Sequence, residues 1–162
     1  MRLFIGIKFD EKTMVLIDRI QGMLYNEGVK GNFTNKNNIH LTLSFLGEVN
    51  NDKVDVLKKI IDSIDVSKIN TIDITGIDVL KDMIILNVNK SVELDNIYND
   101  LVNKLSSNNF NIDKRPYFPH VTLVREKNKD YKKELNIKSK FTKITLFEST
   151  RINGVLTYIP LN

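Results

Sequence analysis

An α+β fold, with helices packed on antiparallel sheets rather than a doubly wound parallel sheet, is predicted by three features of the sequence. Runs of period-two hydrophobicity occur at both ends and in the middle, three amphipathic helical patterns separate them, and no Gly/Ser/Pro-rich linker divides the chain. The 162 residues are therefore expected to form a single domain, 1–162, built as two interleaved lobes.

The elements follow in order. Leu3, Ile5, Ile7 and Phe9 alternate with Arg2, Phe4, Gly6 and Lys8, the pattern of an opening strand. After Asp10, a candidate N-cap, Met14, Ile17, Ile20 and Leu24 recur at helical spacing until Gly28 interrupts them. The apolar, β-branched run from Ile39 to Leu46 reads as a strand closed by Gly47. A second helix runs from Asp52 to Ile64, with Val54, Leu57, Ile60, Ile61 and Ile64 on one face. Thr71 to Thr75 and Met83 to Val88 read as paired strands, with the polar Lys81-Asp82 between them. Ser91 is placed to cap a third helix carrying Leu94, Ile97, Leu101 and Leu105, which fades into Ser106-Ser107-Asn108-Asn109. Phe118 to Val124 is a further strand, and Thr142 to Ser149 and Arg151 to Ile159 finish the chain around Asn153-Gly154, a type I′ hairpin signal.

Composition narrows the chemistry. The chain has no cysteine, which removes disulfides, thiolate metal sites and cysteine nucleophiles, and is compatible with a reducing cytoplasm. No apolar run approaches the length of a membrane span, and the apolar start runs directly into Lys8-Phe9-Asp10-Glu11, unlike a secretory leader. A cytoplasmic protein with no membrane partner is expected. The formal charge of +4 mildly favours a polyanionic partner.

The informative feature is the pair of histidines, the only two in the chain. Both lie in the same local context, Ile39-His40-Leu41-Thr42-Leu43 and Pro119-His120-Val121-Thr122-Leu123, 80 residues apart. On a strand, residues i and i+2 project from one face, so each segment offers an imidazole and a hydroxyl together while Leu41, Leu43, Val121 and Leu123 face the core. Either segment alone is most simply a structural strand; the repetition is what strand composition does not explain. Two such strands across a cleft would hold a tetrahedral phosphate between two imidazoles. Histidine titrates near neutrality, so one ring can accept a proton while the other donates one. A cyclic phosphodiester requires that pairing, and no metal ion or other cofactor is needed for it.

These motifs resemble those of the two-histidine (2H) phosphoesterases, and within them the RNA 2′,3′-cyclic phosphodiesterases, also called 2′-5′ RNA ligases. The likeness runs from Arg2-Leu3-Phe4-Ile5-Gly6 through Asn38 to Val49 and Arg115 to Arg125 to Leu146-Phe147-Glu148-Ser149 and Tyr158. The resemblance implies a bilobal, pseudo-symmetric fold with two antiparallel sheets flanked by helices and a central groove. It implies that His40 is the acid and His120 the base, that Thr42 and Thr122 hold the phosphate, and that Arg125 helps bind it. RNA or a nucleotide ending in a 2′,3′-cyclic phosphate is the implied substrate and an RNA 2′-phosphate the product, with reverse 2′-5′ ligation by the same groups. A monomer is expected.

Strand parity qualifies these assignments. Arg125 and Phe45 fall on the faces opposite His120 and His40 of an undistorted strand, so each needs a bulge or a strand end to reach the groove, and Phe45 is expected in the core. Phe118 shares a face with His120, which makes it, or Tyr117, a stacking surface for an unpaired base. Two other readings compete. A non-catalytic basic RNA-binding module would cluster aromatics on a sheet face but gives no reason for matched histidines. A metallohydrolase would use the histidines with carboxylates, yet no His-Glu-x-x-His spacing occurs.

Overall fold

The computed structural model describes residues 1–162. The chain forms nine strands: β1 (Arg2–Ile7), β2 (Asn32–Phe33), β3 (Leu41–Glu48), β4 (Thr71–Leu80), β5 (Met83–Val88), β6 (His120–Arg125), β7 (Lys133–Lys140), β8 (Ile144–Ile152) and β9 (Val155–Pro160). They form a four-stranded sheet, β3-β1-β8-β9, and a five-stranded sheet, β2-β6-β5-β4-β7, antiparallel throughout. Helices α1 (Glu11–Asn26), α2 (Val54–Asp62) and α3 (Val92–Ser107) cover them, α1 beside β7, α2 against β8, and α3 on α2. The α+β class is as expected from the sequence, and no helix is long and apolar enough to cross a membrane.

Local signals act where they were expected. The Asp10 carboxylate accepts the Thr13 N–H (2.7 Å) to start α1, and its other oxygen accepts the Lys140 N–H (2.8 Å), tying that helix to β7. Ser91 accepts the Leu94 N–H to start α3. Asn153 and Gly154 both adopt positive φ, 50° and 77°, giving the two-residue turn between β8 and β9. The second helix is shorter than its pattern, because Asn51–Lys53 forms a separate 3-10 turn. β3 begins two residues later than expected and passes through Gly47, and β4 runs on to Leu80 past a bulge at Thr75. Strands β2 and β7 have no counterpart in the sequence reading.

One buried cluster of 32 apolar residues draws on both sheets and all three helices. Phe4, Phe147 and Ile85 are buried outside it. Cross-strand partners share a face, and Phe4 pairs with Phe147 while Ile85 pairs with Thr122. These three therefore lie on the faces turned away from the core, where they floor a groove in which β3 of one sheet meets β6 of the other.

The two strands that border this groove are bulged at the same place. In β3, Gly6 faces Thr42 and Ile5 faces Ser44, leaving Leu43 without a partner; in β6, Ile85 faces Thr122 and Ile84 faces Val124, leaving Leu123 without one. The Leu123 carbonyl is held by the Thr34 N–H (2.9 Å) and by Gln21 of α1 (3.2 Å), so the bulge is bonded into the core side.

Gly6 fits this crossing because a Cβ there would stand 2.8 Å from the Leu41 carbonyl oxygen and 3.2 Å from the His40 ring. Backbone cannot retreat as a flexible side chain can, so Gly6→Ala is expected to cost about 1–3 kcal/mol through overpacking. A urea denaturation midpoint unchanged from the parent protein would show that β3 yields freely at this point.

Candidate active site

The groove is assembled from alternate residues of the bordering strands. Phe4 and Gly6 of β1 and Lys8, one residue past the strand's end, follow one another at i, i+2 and i+4 and turn to the same side. Phe4 lies against His40 (centroids 4.8 Å), Gly6 leaves room beneath the ring, and the Lys8 ammonium sits 5.6 Å over the Phe147 ring. Tyr158 of β9 meets His40 edge-on at 5.3 Å and Phe4 at 4.8 Å. His40 is thus enclosed by rings on one side and open to the groove on the other.

Both histidines are oriented by the same bond. Nδ1 of His40 lies 2.7 Å from the Asn38 carbonyl and Nδ1 of His120 lies 2.8 Å from the Phe118 carbonyl. A carbonyl can only accept, so each Nδ1 carries the proton and each neutral ring leaves its Nε2 lone pair for other partners. The two Nε2 atoms then differ. The Thr42 hydroxyl donates to Nε2 of His40 at 2.8 Å, whereas Nε2 of His120 has no protein partner.

The bulges resolve the parity problem. After the extra residue at Leu123, Arg125 returns to the face of His120 and Thr122, and its Nη1 and the Thr122 hydroxyl both point at the Met83 sulfur, at 3.3 and 3.9 Å. A thioether is a weak acceptor, so two strong donors are left aimed at one point in the groove. After Leu43, Phe45 likewise returns to the groove face. It is 66% exposed and 6.0 Å from Phe4, which corrects the expectation that it lies in the core. Phe118 stacks on His120 at 5.4 Å and is 51% exposed, an open aromatic face as the sequence suggested.

Tyr117 serves otherwise. Its ring lies flat on Tyr98 of α3 (4.0 Å, 6°), and its hydroxyl donates to the Thr42 carbonyl at 2.8 Å. It braces β3 from the segment that leads into β6, and burial pushes its phenol well above the usual range. The residues that sequence reasoning missed are Phe4, Lys8 and Phe147. Their signal was present: Phe4 is a large apolar residue on the supposedly polar phase of β1, the mark of a strand covered on both faces.

The electrostatics follow from this enclosure. Burial, opposed by the Asn38 hydrogen bond and reinforced by the positive charges of Lys8, Arg125 and His120, pushes His40 down to about 4. The named charges acting on it are all cationic, the field of an anion site. No group of three His, Asp or Glu side chains with metal-binding geometry occurs in the chain. Aromatics do gather on one sheet face, as a plain RNA-binding module would have them, but they gather around a histidine.

Comparisons with known proteins bear on the family and the fold. Residues 4–153 match the family described as the AKAP7 2′5′ RNA ligase-like domain. An RNA 2′,3′-cyclic phosphodiesterase of Methanocaldococcus jannaschii is 32% identical over 146 residues, covering 83% of this chain and 77% of that protein. One of Thermotoga maritima is 27% identical over 133 residues, covering 78% and 71%. Among solved structures, TT0787 of Thermus thermophilus superposes with a TM-score of 0.84 at 16% identity, covering 100% of this chain and 96% of that one. LigT of E. coli, in complex with 3′-AMP, superposes with a TM-score of 0.81 at 23% identity, covering 99% and 95%. With a family match across nearly its whole length and a relative at 32% identity, the chain belongs to the 2′-5′ RNA ligase-like family of two-histidine phosphoesterases.

Proposed function

We propose that this protein hydrolyses the 2′,3′-cyclic phosphate at RNA ends to a 2′-phosphomonoester, with His40 as acid and His120 as base and without a metal ion. The observation that carries the reading is the duplicated arrangement itself: two Nδ1-anchored imidazoles, each two residues from a threonine hydroxyl, at the starts of bulged strands that border one groove. The substrate is assigned from the named activities of the archaeal and bacterial relatives.

The chemistry balances with these groups alone. Water attacks phosphorus and gives a proton to the free Nε2 of His120. The bond from phosphorus to the ribose O3′ breaks, and a proton from Nε2 of His40 completes the 3′-hydroxyl. Thr42, Thr122 and Arg125 donate to the non-bridging oxygens, whose charge grows in the transition state. Phe118 offers its open face to the nucleobase. Proton return from His120 to His40 through solvent resets the pair. A 5′-hydroxyl in place of water gives a 2′-5′ linkage by the same transfers.

The acid role places a demand on His40. A ring held down to about 4 is neutral at pH 7, with Thr42 donating to its Nε2. Phosphate binding must therefore raise the ring's affinity for a proton: an anion beside His40 and Arg125 favours the imidazolium, and the Thr42 hydroxyl then turns from Nε2 to the phosphate. With only two histidines, the two imidazole resonances can be assigned by a single His120→Asn variant. The His40 resonance is expected to titrate near 4 in the free protein and to move upward by at least about one unit when a nucleoside 2′-phosphate binds. A titration that does not move on binding would transfer the acid role to His120.

The reaction is tested with an oligoribonucleotide ending in a 2′,3′-cyclic phosphate, incubated with EDTA. The 2′-monophosphate is expected as product, and His40→Ala and His120→Ala are each expected to lower kcat by about 10²–10⁴-fold, the range for losing one general acid or base. Retained activity in either variant, or strict dependence on added zinc, would overturn the mechanism.

A further inference from the structure

The groove holds a cation that the two histidine motifs do not account for. Lys8 continues the Phe4, Gly6 row one residue beyond the end of β1, on the same side as the rings that enclose His40. Its ammonium is half-buried over Phe147, and its one protein acceptor is the Asn37 carbonyl, in the turn that leads into His40. It forms no ion pair, while Lys90, Lys104, Lys127, Lys132 and Lys138 each reach a carboxylate. An ammonium has three donors, so two remain free. Burial lowers its pKa, a cost that no carboxylate partner offsets.

We propose that Lys8 and the Asn37 turn form a second phosphate subsite, which holds the phosphate on the 5′ side of the nucleotide whose cyclic phosphate is cleaved. The placement rests on the reading above: His40 faces the ribose oxygen that departs, so the ribose and the chain attached at its 5′ carbon lie on His40's side of the reacting phosphorus. That is the side on which Lys8 stands. Arg125, converging with Thr122 on the His120 side, is left for the reacting phosphate. The two cations thus serve two different phosphates of one RNA end. A cyclic end carried by a longer RNA then binds more tightly than a free cyclic nucleotide, because the internal phosphate has its own partner.

Binding tests this separately from turnover. Adenosine 2′-phosphate and adenosine 2′,5′-bisphosphate are titrated calorimetrically into the parent protein, Lys8→Met and Lys8→Arg. The parent is expected to bind the bisphosphate about tenfold more tightly, the scale of one charge-assisted contact. Lys8→Met is expected to lose that ratio and Lys8→Arg to keep it, with the salt slope for the bisphosphate falling by roughly 0.7 in Lys8→Met, one phosphate contact on a single strand. A ratio that survives in Lys8→Met, or no preference for the bisphosphate in the parent, would overturn the subsite. Equal weakening of both ligands would do so too, by assigning Lys8 to the reacting phosphate. Hydrolysis of the cyclic end bears on the function itself and is read independently of these constants.

Discussion

The groove depends on one extra residue in each of two strands. Strand geometry turns successive side chains to opposite faces, so a His-x-Thr unit followed by a regular strand would send the residue five places after the histidine into the core. The unpaired Leu43 and Leu123 reset that phase. Each bulged leucine stays buried, and the residues beyond, Phe45 and Arg125, swing back beside the histidines. The bulges therefore let a short strand be anchored by apolar side chains on one face while three side chains share the groove face. The Gln21 and Thr34 bonds to the Leu123 carbonyl show how the backbone exposed by such a defect is satisfied.

The second constraint is on the imidazoles. A carbonyl two residues upstream fixes each ring by its Nδ1, which sets the tautomer and aims Nε2 into the groove before any ligand arrives. Orientation of this kind lowers the reorganisation needed at the moment of proton transfer. The surroundings then separate two otherwise equal groups. His40 lies among Phe4, Phe147 and Tyr158 with cations nearby, and its free-state ring is neutral; His120 lies under the exposed Phe118. The motif makes the two histidines alike, and the difference between their surroundings comes from what the flanking sheet supplies.

Much of this was legible in the chain. The three helices, the caps at Asp10 and Ser91, the Asn153-Gly154 turn and the two motif strands all follow from local rules, because each is decided by neighbours in sequence. Strand β7 was not, since Lys133–Lys140 carries four charged residues and two half-buried apolar ones, the composition of an edge strand guarded against further pairing rather than of a core strand. The bulges were invisible for a different reason. A bulge is a property of register between strands far apart in sequence, so parity flagged Arg125 and Phe45 as misplaced without saying which of them would be restored, and the bulges restore both. Lys8 escaped because a lysine on the polar phase of a strand reads as solvated surface, and only the sheet that folds Phe147 beneath it makes it part of a site.

The equivalence of the two lobes also explains where they diverge. An offset of 80 residues carries His40, Thr42 and the bulge at Leu43 onto His120, Thr122 and the bulge at Leu123, and it carries Phe45 onto Arg125. The scaffold thus presents the same three directions twice, and the third is filled by an aromatic ring on one side and a guanidinium on the other. A cyclic nucleotide is itself lopsided, with an anion at one end and a flat base at the other. A symmetric site would bind it in two opposed orientations and leave the proton donor undefined. One aromatic and one cationic substituent at equivalent positions make the two halves of the groove unlike with the fewest changes.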